Sequence, residues 1–280
     1  MDKIFDLHAH STASDGTLCP AVLMQHAAQA GVTDIALTDH DTLAGLPEAR
    51  AAADTLGLSF IPGVEISANW RDKTIHIVGL NIAEDSSLLL QGLLALRNKR
   101  VQRAQAISRL LCRDGPPGDW LALARAQSSG HLIGRAHFAR ALIAAGHATS
   151  MREVFKKYLV PGKPGYAPGV WAPLADVVNW IIAAGGQPVI AHPARYGLKR
   201  RRLRHLISDF VAAGGTGIEV VAGSHSQDDY YAMAQHARDF NLLGSVGSDF
   251  HGPQASWGGL GQLPSLPLGC TPVWQTWSSL

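Results

Sequence analysis

The sequence contains little cysteine and no long hydrophobic segment. Its three cysteines, Cys19, Cys112 and Cys270, are too few and too widely spaced for a disulfide framework or a thiolate zinc site. No apolar run approaches the roughly 20 residues that span a bilayer, and the first residues enter a predicted strand without a signal segment. These absences predict a cytoplasmic protein without a membrane contact, in which imidazole and carboxylate groups bind any metal ion.

The chain also has little net charge. A formal charge of +2 is too small to indicate a broad nucleic-acid surface. One local basic cluster runs from Lys199 to Arg204 and overlaps a helical apolar spacing that ends at Phe210. We interpret this cluster as the solvated face of an amphipathic helix, with a nucleotide- or oligonucleotide-binding surface as the alternative.

Segments with strand and helix patterns alternate along the chain, which favours parallel β-α-β units. The 280 residues, 46% of them hydrophobic, can bury the core of one α/β domain with room for an insertion. Seven strands are predicted: Lys3–Leu7, Asp34–Leu37, Ser59–Val64, Thr74–Leu80, Pro188–Ala191, Gly217–Val221 and Leu243–Val246. Seven strands in this order indicate an α/β barrel or near-barrel.

This alternation is interrupted between about residues 98 and 173. The stretch has a helical pattern, a Gly/Pro turn at Gly115–Gly118, a second helical pattern and a loop at Pro161–Pro168. We interpret residues 98–173 as a mainly helical insertion. It would cap the mouth of a barrel formed by residues 1–97 and 174–280 and close on a substrate.

Histidine- and carboxylate-bearing patches follow the predicted strands. A ring of parallel strands can bring such distant donors together at one mouth. The patches contain His8, His10, Asp15, His40, Glu65, His76, His192, Glu219, Asp249 and His251. Their number and positions predict a multinuclear metal site.

Each patch also has a structural interpretation. His8 and His10 lie two residues apart at a strand end, so both imidazoles can reach one ion, but a core histidine beside a surface histidine would give the same spacing. Glu65 can bridge two ions through its two oxygens, or it is a surface acid. His76, taken alone, fits a buried histidine with a hydrogen-bond partner. The patches taken together favour the metal site over these separate alternatives.

Six motifs occur in a characteristic order: HxH within DLHAHSTASDG, then TDHDT, PGVEI, a histidine after the next strand, AHPAR and GSDFHG. In this order they resemble the polymerase-and-histidinol-phosphatase (PHP) family over nearly the whole chain. The resemblance implies a distorted seven-stranded (β/α)7 barrel. Within the family, the chain is similar to the stand-alone 3',5'-nucleotide bisphosphatases and a related 5'-to-3' exoribonuclease.

The resemblance also implies a ligand set. The first ion would bind four residues: His8, His10, Glu65 and Asp249. Glu65 would bridge to a second ion that also binds His76 and His192. A third pocket would contain Asp15, His40 and His251, although some family members have histidine in place of Asp15. Glu219 has no ligand role in this pattern, so it orients a ligand or a substrate hydroxyl, or it is a structural acid.

The implied cofactor is two or three divalent metal ions. Imidazole and carboxylate donors suit Mn²⁺, Fe²⁺ or Zn²⁺, and the resemblance favours Mn²⁺. Such ions lower the pKa of a bridging water and neutralise phosphoryl oxygens, so that a hydroxide can attack phosphorus. The candidate catalytic residues are Asp249, Glu65, His192 and Arg195. The proton donor for the leaving group is open between a metal-bound water, a free histidine such as His225 and a carboxylate that supports the metal ligands without binding an ion.

A phosphate substrate needs donors besides the metal ions. Arg195, in the AHPAR motif, is the first candidate because a planar guanidinium pairs well with phosphate oxygens. Arg135, assisted by His137, is predicted to reach a second phosphate from the insertion. Lys163 is a candidate contact for the leaving nucleotide, and Trp70 is a candidate for stacking on a base. Each of these residues has a surface or packing role as its alternative.

The sequence therefore predicts a metal-dependent phosphohydrolase acting on a small nucleotide. The favoured reaction is the hydrolysis of adenosine 3',5'-bisphosphate to AMP and phosphate. The alternatives are a histidinol-phosphate phosphatase and a 5'-to-3' exoribonuclease on short RNA. A non-catalytic PHP module is disfavoured because every mapped ligand position holds a competent donor. No obligate protein partner is predicted.

Overall fold

The computed structural model describes residues 3–129, 132–254 and 258–277. Its nearly closed, barrel-shaped sheet has seven strands in spatial order: β1 (Phe5–Asp6), β2 (Asp34–Leu37), β3 (Ser59–Trp70), β4 (Lys73–Leu80), β6 (Gln187–Ile190), β7 (Gly217–Ala222) and β8 (Leu243–Gly247). The short strand β5 (Ala172–Pro173) pairs with β3 outside this order. The sheet nearly closes where the backbone N–H of Leu7 donates to Val246 O at 3.0 Å. The predicted seven-stranded α/β barrel is confirmed.

One strand runs against the predicted direction. β4 is antiparallel to both of its neighbours, β3 and β6, whereas the remaining neighbouring pairs of the barrel are parallel. The link between Trp70 and Lys73 contains only Arg71 and Asp72, and so short a link can join only antiparallel strands. Arg71 adopts a positive φ of 52° in this turn. The prediction of parallel units throughout is therefore wrong at β4.

β3 is twice as long as predicted. The expected strand ended at Val64, but the observed strand continues to Trp70, so Glu65 lies in its middle and not at its end. Val64, Ile66, Ala68 and Trp70 lie on one face and join the apolar core under the helices. The polar residues between them interrupt the apolar run, which hid the second half of the strand from the sequence pattern.

Helices cover the outside of the sheet and form the insertion. Their bounds are α1 (Pro20–Gln29), α2 (Leu46–Leu56), α3 (Ser87–Asp114), α4 (Trp120–Ala126), α5 (Arg135–Ala144), α6 (Met151–Val154), α7 (Leu174–Ala183), α8 (Arg200–Ala212) and α9 (Gln227–Asp239). A π-helical turn at Phe155–Leu159 extends α6, and 3₁₀ turns occupy Pro193–Tyr196 and Val273–Thr276. None of the described helices is long and apolar enough to cross a membrane.

Helix α3 joins the barrel to the insertion. Its 28 residues extend about 42 Å, and they contact two separate apolar clusters. Leu89, Leu93 and Leu96 pack into the barrel core. Farther along the helix, Ala104 and Ile107 pack with the insertion helices. The predicted boundary at residue 98 therefore falls inside one continuous helix, and the change from one core to the other occurs between Leu96 and Ala104.

Candidate metal centre

The first group of predicted ligands converges at the mouth of the barrel. His8 and His10 follow β1, Glu65 lies in β3 and Asp249 follows β8, and all four side chains are buried. Nε2 of His8 and Nε2 of His10 are 3.1 Å apart. The Glu65 Oε2 atom lies 3.3 Å from the first nitrogen and 3.2 Å from the second, and Asp249 Oδ1 lies 3.5 and 3.3 Å from them. Four donor atoms are thus directed at one point.

Glu65 also contacts a second group of histidines. Its Oε1 atom lies 2.8 Å from Nδ1 of His76 and 3.0 Å from Nε2 of His192. Its Oε2 atom lies 3.0 Å from Nδ1 of His40, a residue that the sequence assigned to the third pocket alone. The structure therefore brings the predicted second set together around Glu65 and adds His40 to it.

The third group surrounds Asp15. Asp15 Oδ1 lies 3.3 Å from Nε2 of His251 and 4.0 Å from both His40 Nε2 and His10 Nδ1. His10 thus offers one nitrogen to the first group and the other to this one. The potential ligand atoms of His10, Asp15, His40 and His251 all lie within 4.8 Å of one another.

The donor atoms of these groups suit divalent cations. Four of them are buried without a hydrogen-bond partner: Glu65 Oε2, Asp15 Oδ1, His10 Nδ1 and His40 Nδ1. A buried polar atom without a partner costs roughly 1–3 kcal/mol, and metal coordination would satisfy all four. Because the donors are imidazole nitrogens and carboxylate oxygens, the set fits Mn²⁺, Fe²⁺ or Zn²⁺.

The ionisation of the cluster is dominated by its two central carboxylates. Burial acts to raise the pKa of Glu65, but His40, His76 and His8 outweigh it and hold that pKa well below its usual value. Burial acts to lower the pKa of His10, yet the neighbouring Asp249 and Glu65 carboxylates raise it to about 10. Burial lowers the pKa of His40 to about 4. The carboxylates therefore require positive charge, which a divalent ion would supply in place of the His10 proton.

Glu219 supports this cluster from behind. Its Oε1 atom lies 2.6 Å from Nδ1 of His8, and its Oε2 atom accepts a hydrogen bond from the backbone N–H of His192. Gly247 makes the packing possible, because a Cβ atom there would lie 2.3 Å from Cβ of His8. Of the roles that the sequence leaves open for Glu219, these contacts support the one in which it orients metal ligands.

The PHP domain family matches residues 6–160, and this range contains the first six of the predicted metal ligands. Together with the geometry of the donors, the match decides the family. The chain belongs to the PHP domain family.

Individual PHP proteins are similar to this chain over nearly their whole length. A 3',5'-nucleoside bisphosphate phosphatase from Chromobacterium violaceum is 46% identical over 96% of this chain and 95% of its own. The 5'-3' exoribonuclease Rnm of Escherichia coli is 42% identical, over 98% of this chain and 94% of its own. The fold is also similar to a solved structure of an amidohydrolase from Chromobacterium violaceum with bound sulfate and no metal. The TM-score is 0.93 at 45% identity, and the match covers 97% of this chain and 95% of that one. These similarities confirm the predicted family and the predicted class, a hydrolase of phosphate esters.

The residues predicted to contact phosphate have different surroundings. Arg195, on the 3₁₀ turn after β6, forms an ion pair with Asp249, and its side chain is 40% exposed. The guanidinium of Arg135 packs over the Phe155 ring at 5.4 Å. His137 is buried, its Nδ1 accepts a hydrogen bond from Gly134 N, and burial lowers its pKa to about 4. A small cavity connects it to the third group and is lined by Ser14, Asp15, His40, Arg100, Leu132, Gly134 and His137.

Three other candidates, Trp70, Lys163 and His225, differ in how far neighbouring residues occupy their side chains. Trp70 is 4% exposed and its Nε1 donates to Asp209 at 2.8 Å, so its ring offers no open face for a base. Lys163 is exposed, and its side chain forms no hydrogen bond or ion pair within the described part of the chain. Both nitrogens of His225 face backbone atoms, at 3.2 Å from Val220 O and 3.4 Å from Ala194 N, so this residue is poorly placed as a proton donor.

The sequence reasoning missed two arginines on α3. Arg100 donates to Asp41 at 2.6 Å and to Ser67 Oγ at 2.9 Å, which fixes the helix to the rim of the barrel. Arg103 donates to Ala167 O at 3.0 Å, and burial together with Arg135 and Arg100 lowers its pKa to about 9. The i, i+3 spacing of two arginines on one helix face was the available signal.

Proposed function

We propose that this protein removes a phosphate from a small nucleotide that carries both 3' and 5' phosphates, such as adenosine 3',5'-bisphosphate, with Mn²⁺ as the preferred ion. One observation carries the proposal: adjoining groups of ligands, two of which share Glu65, lie near an arginine of the insertion and an arginine of the turn after β6. The Chromobacterium violaceum relative is named for this activity, which supports the choice of substrate.

The metal centre would hold the phosphate that is removed. Divalent ions bound there would neutralise the phosphoryl oxygens and lower the pKa of the attacking water. Glu65 contacts His192 and His8, and Asp249 contacts His8 and His10. Glu219 holds the backbone of His192. Arg195 is partly exposed beside Asp249, so its guanidinium can contact a phosphoryl oxygen without leaving the rim.

A second phosphate would bind beneath the insertion. Arg103 and Arg135 form no ion pair with an acidic residue among the described residues. The charges of Arg135 and Arg100 act on Arg103, and Arg135 lies near Arg100, Arg195 and Asp15. Burial lowers the pKa of Arg135, and the charges of Arg100 and Arg195 lower it further. Partly buried guanidinium groups that repel one another create a place for an anion, and a nucleotide phosphate carries the opposite charge.

A second candidate activity is the release of 5' nucleotides from short RNA. The Escherichia coli relative is named a 5'-3' exoribonuclease, and the same metal centre could hydrolyse a phosphodiester. The two activities differ in what must bind beyond the first nucleotide.

The direct test is phosphate release by purified, Mn²⁺-loaded protein. We expect turnover of adenosine 3',5'-bisphosphate, loss of that turnover on chelation, and recovery when Mn²⁺ is restored. Histidinol phosphate and a 5'-phosphorylated RNA trimer serve as comparison substrates. Stoichiometric metal binding without hydrolysis of any of the three would contradict the proposal and favour a non-catalytic module.

The Arg135→Gln variant tests the second phosphate site. Because a hydrogen bond between charged groups contributes about 1.5–3 kcal/mol, kcat/KM for the bisphosphate should fall roughly 10- to 100-fold. A simple monophosphate ester, which lacks the second phosphate, should be hydrolysed at the wild-type rate. An equal loss on both substrates would place Arg135 outside the proposed role.

A further inference from the structure

A groove lies beside the mouth of the barrel, outside the metal centre. It has a volume of about 470 Å³ and is lined by Lys73, Gly197, Leu198, Lys199, Arg201 and Arg202. Its lining residues lie close in sequence to residues of the metal centre. Lys73 begins β4, three residues or about 10 Å before His76. Gly197 directly follows the 3₁₀ turn that carries Arg195.

The groove carries an excess of positive charge. Within the described residues, Lys73, Lys199 and Arg201 form no ion pair, whereas Arg202 pairs with Asp72. Lys199 and Arg201 are exposed. Of the neighbouring cations outside the lining, Arg71 lies 3.6 Å from Asp209 and Arg204 pairs with Asp239, whereas exposed Arg200 forms no ion pair among the described residues. Three unmatched cations therefore line the groove, and a fourth, Arg200, lies next to them in the chain.

Most of these cations lie at the N-terminus of α8, where positive charge lowers the stability of a helix. Lys199 is the N-cap of α8, Arg200, Arg201 and Arg202 follow it, and the first turn contains no acidic residue. The N-terminus of a helix is partially positive, so an exposed cation there is unfavourable by about 0.3–1 kcal/mol. Helix stability thus does not account for this run of residues. An anion beside the first turn of α8 would be attracted both by these side chains and by the N-terminus of the helix.

We propose that the groove binds the phosphodiester backbone of a single-stranded oligoribonucleotide whose terminal nucleotide lies at the metal centre. The inference rests on the proposed function, because it takes a nucleotide phosphate as the reacting group. A strand is the fitting occupant, since its successive phosphates can follow a row of cations that leads away from the centre. A mononucleotide held at the metal ions and Arg135 would leave the groove empty.

The test is the fluorescence anisotropy of a labelled single-stranded RNA, titrated with metal-free protein in a chelating buffer so that no hydrolysis occurs. Lys199→Glu/Arg201→Glu should raise the Kd by about tenfold or more. Its plot of log K against log salt should have a slope smaller by about 1.4, at about 0.7 for each lost phosphate contact. Acidic residues suit the first turn of a helix, so α8 should remain folded in this variant.

Two control variants accompany it. Lys199→Arg/Arg201→Lys keeps both charges and should bind the RNA as the wild type does. Arg125→Glu/Arg238→Glu changes two exposed cations outside the groove and alters the net charge equally, so it should leave the salt slope unchanged. An unchanged Kd in the groove variant, or an equal weakening in the outside control, would overturn the proposal.

Hydrolysis separates this inference from the proposed function. With Mn²⁺, Lys199→Glu/Arg201→Glu should release phosphate from adenosine 3',5'-bisphosphate at the wild-type rate. If the wild type releases none, the proposed function fails, while the anisotropy result still decides whether the groove binds RNA. If the variant alone loses this activity, the groove is not a separate strand-binding surface and the inference fails.

Discussion

The Glu219 carboxylate lies 2.6 Å from Nδ1 of His8, and both side chains are buried. A carboxylate in this position holds a proton on Nδ1, so that Nε2 is the nitrogen directed at His10 and Glu65. The second oxygen of Glu219 also holds the backbone of His192, which has an unusual φ of 29°. One acid outside the ligand set thus orients two residues of the metal centre.

Replacing Glu219 with glutamine should weaken metal binding without removing a ligand. The amide keeps the size of the side chain but loses the charge that orients His8, and such supporting residues typically contribute 10- to 100-fold to metal affinity. Isothermal titration with Mn²⁺ measures the change in Kd, and circular dichroism monitors the fold. A wild-type Kd would mean that the carboxylate only fills space.

Glu65→Gln and Asp15→Asn should differ in how much metal the protein retains. Glu65 contacts histidines of two groups, so its loss should disturb two ions and lower turnover by more than about 100-fold, beyond the effect of a supporting residue. Asp15 lies in the third group only, so Asp15→Asn should remove about one ion. Elemental analysis of dialysed protein gives the ratios. Equal metal content in the two variants would refute the shared role of Glu65.

Metal binding should release protons at pH 7.5. The pKa of His10 is raised to about 10 without a cation, so the ring is protonated at this pH and must lose a proton to coordinate. The apparent affinity for Mn²⁺ should therefore rise with pH until about pH 10. In the metal-free protein, protonated His10 stabilises the fold fully below pH 6.5, and this contribution is lost as the pH rises through 10.

Calorimetry in two buffers of different ionisation enthalpy counts the released protons. We expect at least one per protein as the ions bind. Binding without proton release would show that His10 is already neutral and that the carboxylates are compensated in another way.

The sequence predicted the chemistry of the site more completely than its geometry. The histidines and carboxylates of the motifs could be named because ligand type is a property of each residue, and the structure brings all of them together. The sharing of His10 and His40 between groups could not be predicted, since it depends on which ring nitrogen faces which neighbour. The stacking role predicted for Trp70 requires an exposed ring, whereas β3 continues to Trp70 and buries it.

By itself, the sequence determined the order of strands, the donor types and the PHP family, because strand propensity, apolar periodicity and ligand chemistry are local properties. Only the tertiary structure decided the reversed direction of β4, the support of His8 by Glu219 and the convergence of Arg103 with Arg135. The last two depend on residues far apart in the chain, whose contact is set by how the sheet closes and where α3 crosses it. The reversal of β4 depends on the continuation of β3 to Trp70, which leaves only a two-residue link before β4. The basic run at Lys199 shows both contributions: its charge was evident in the sequence, and its position beside the mouth required the fold.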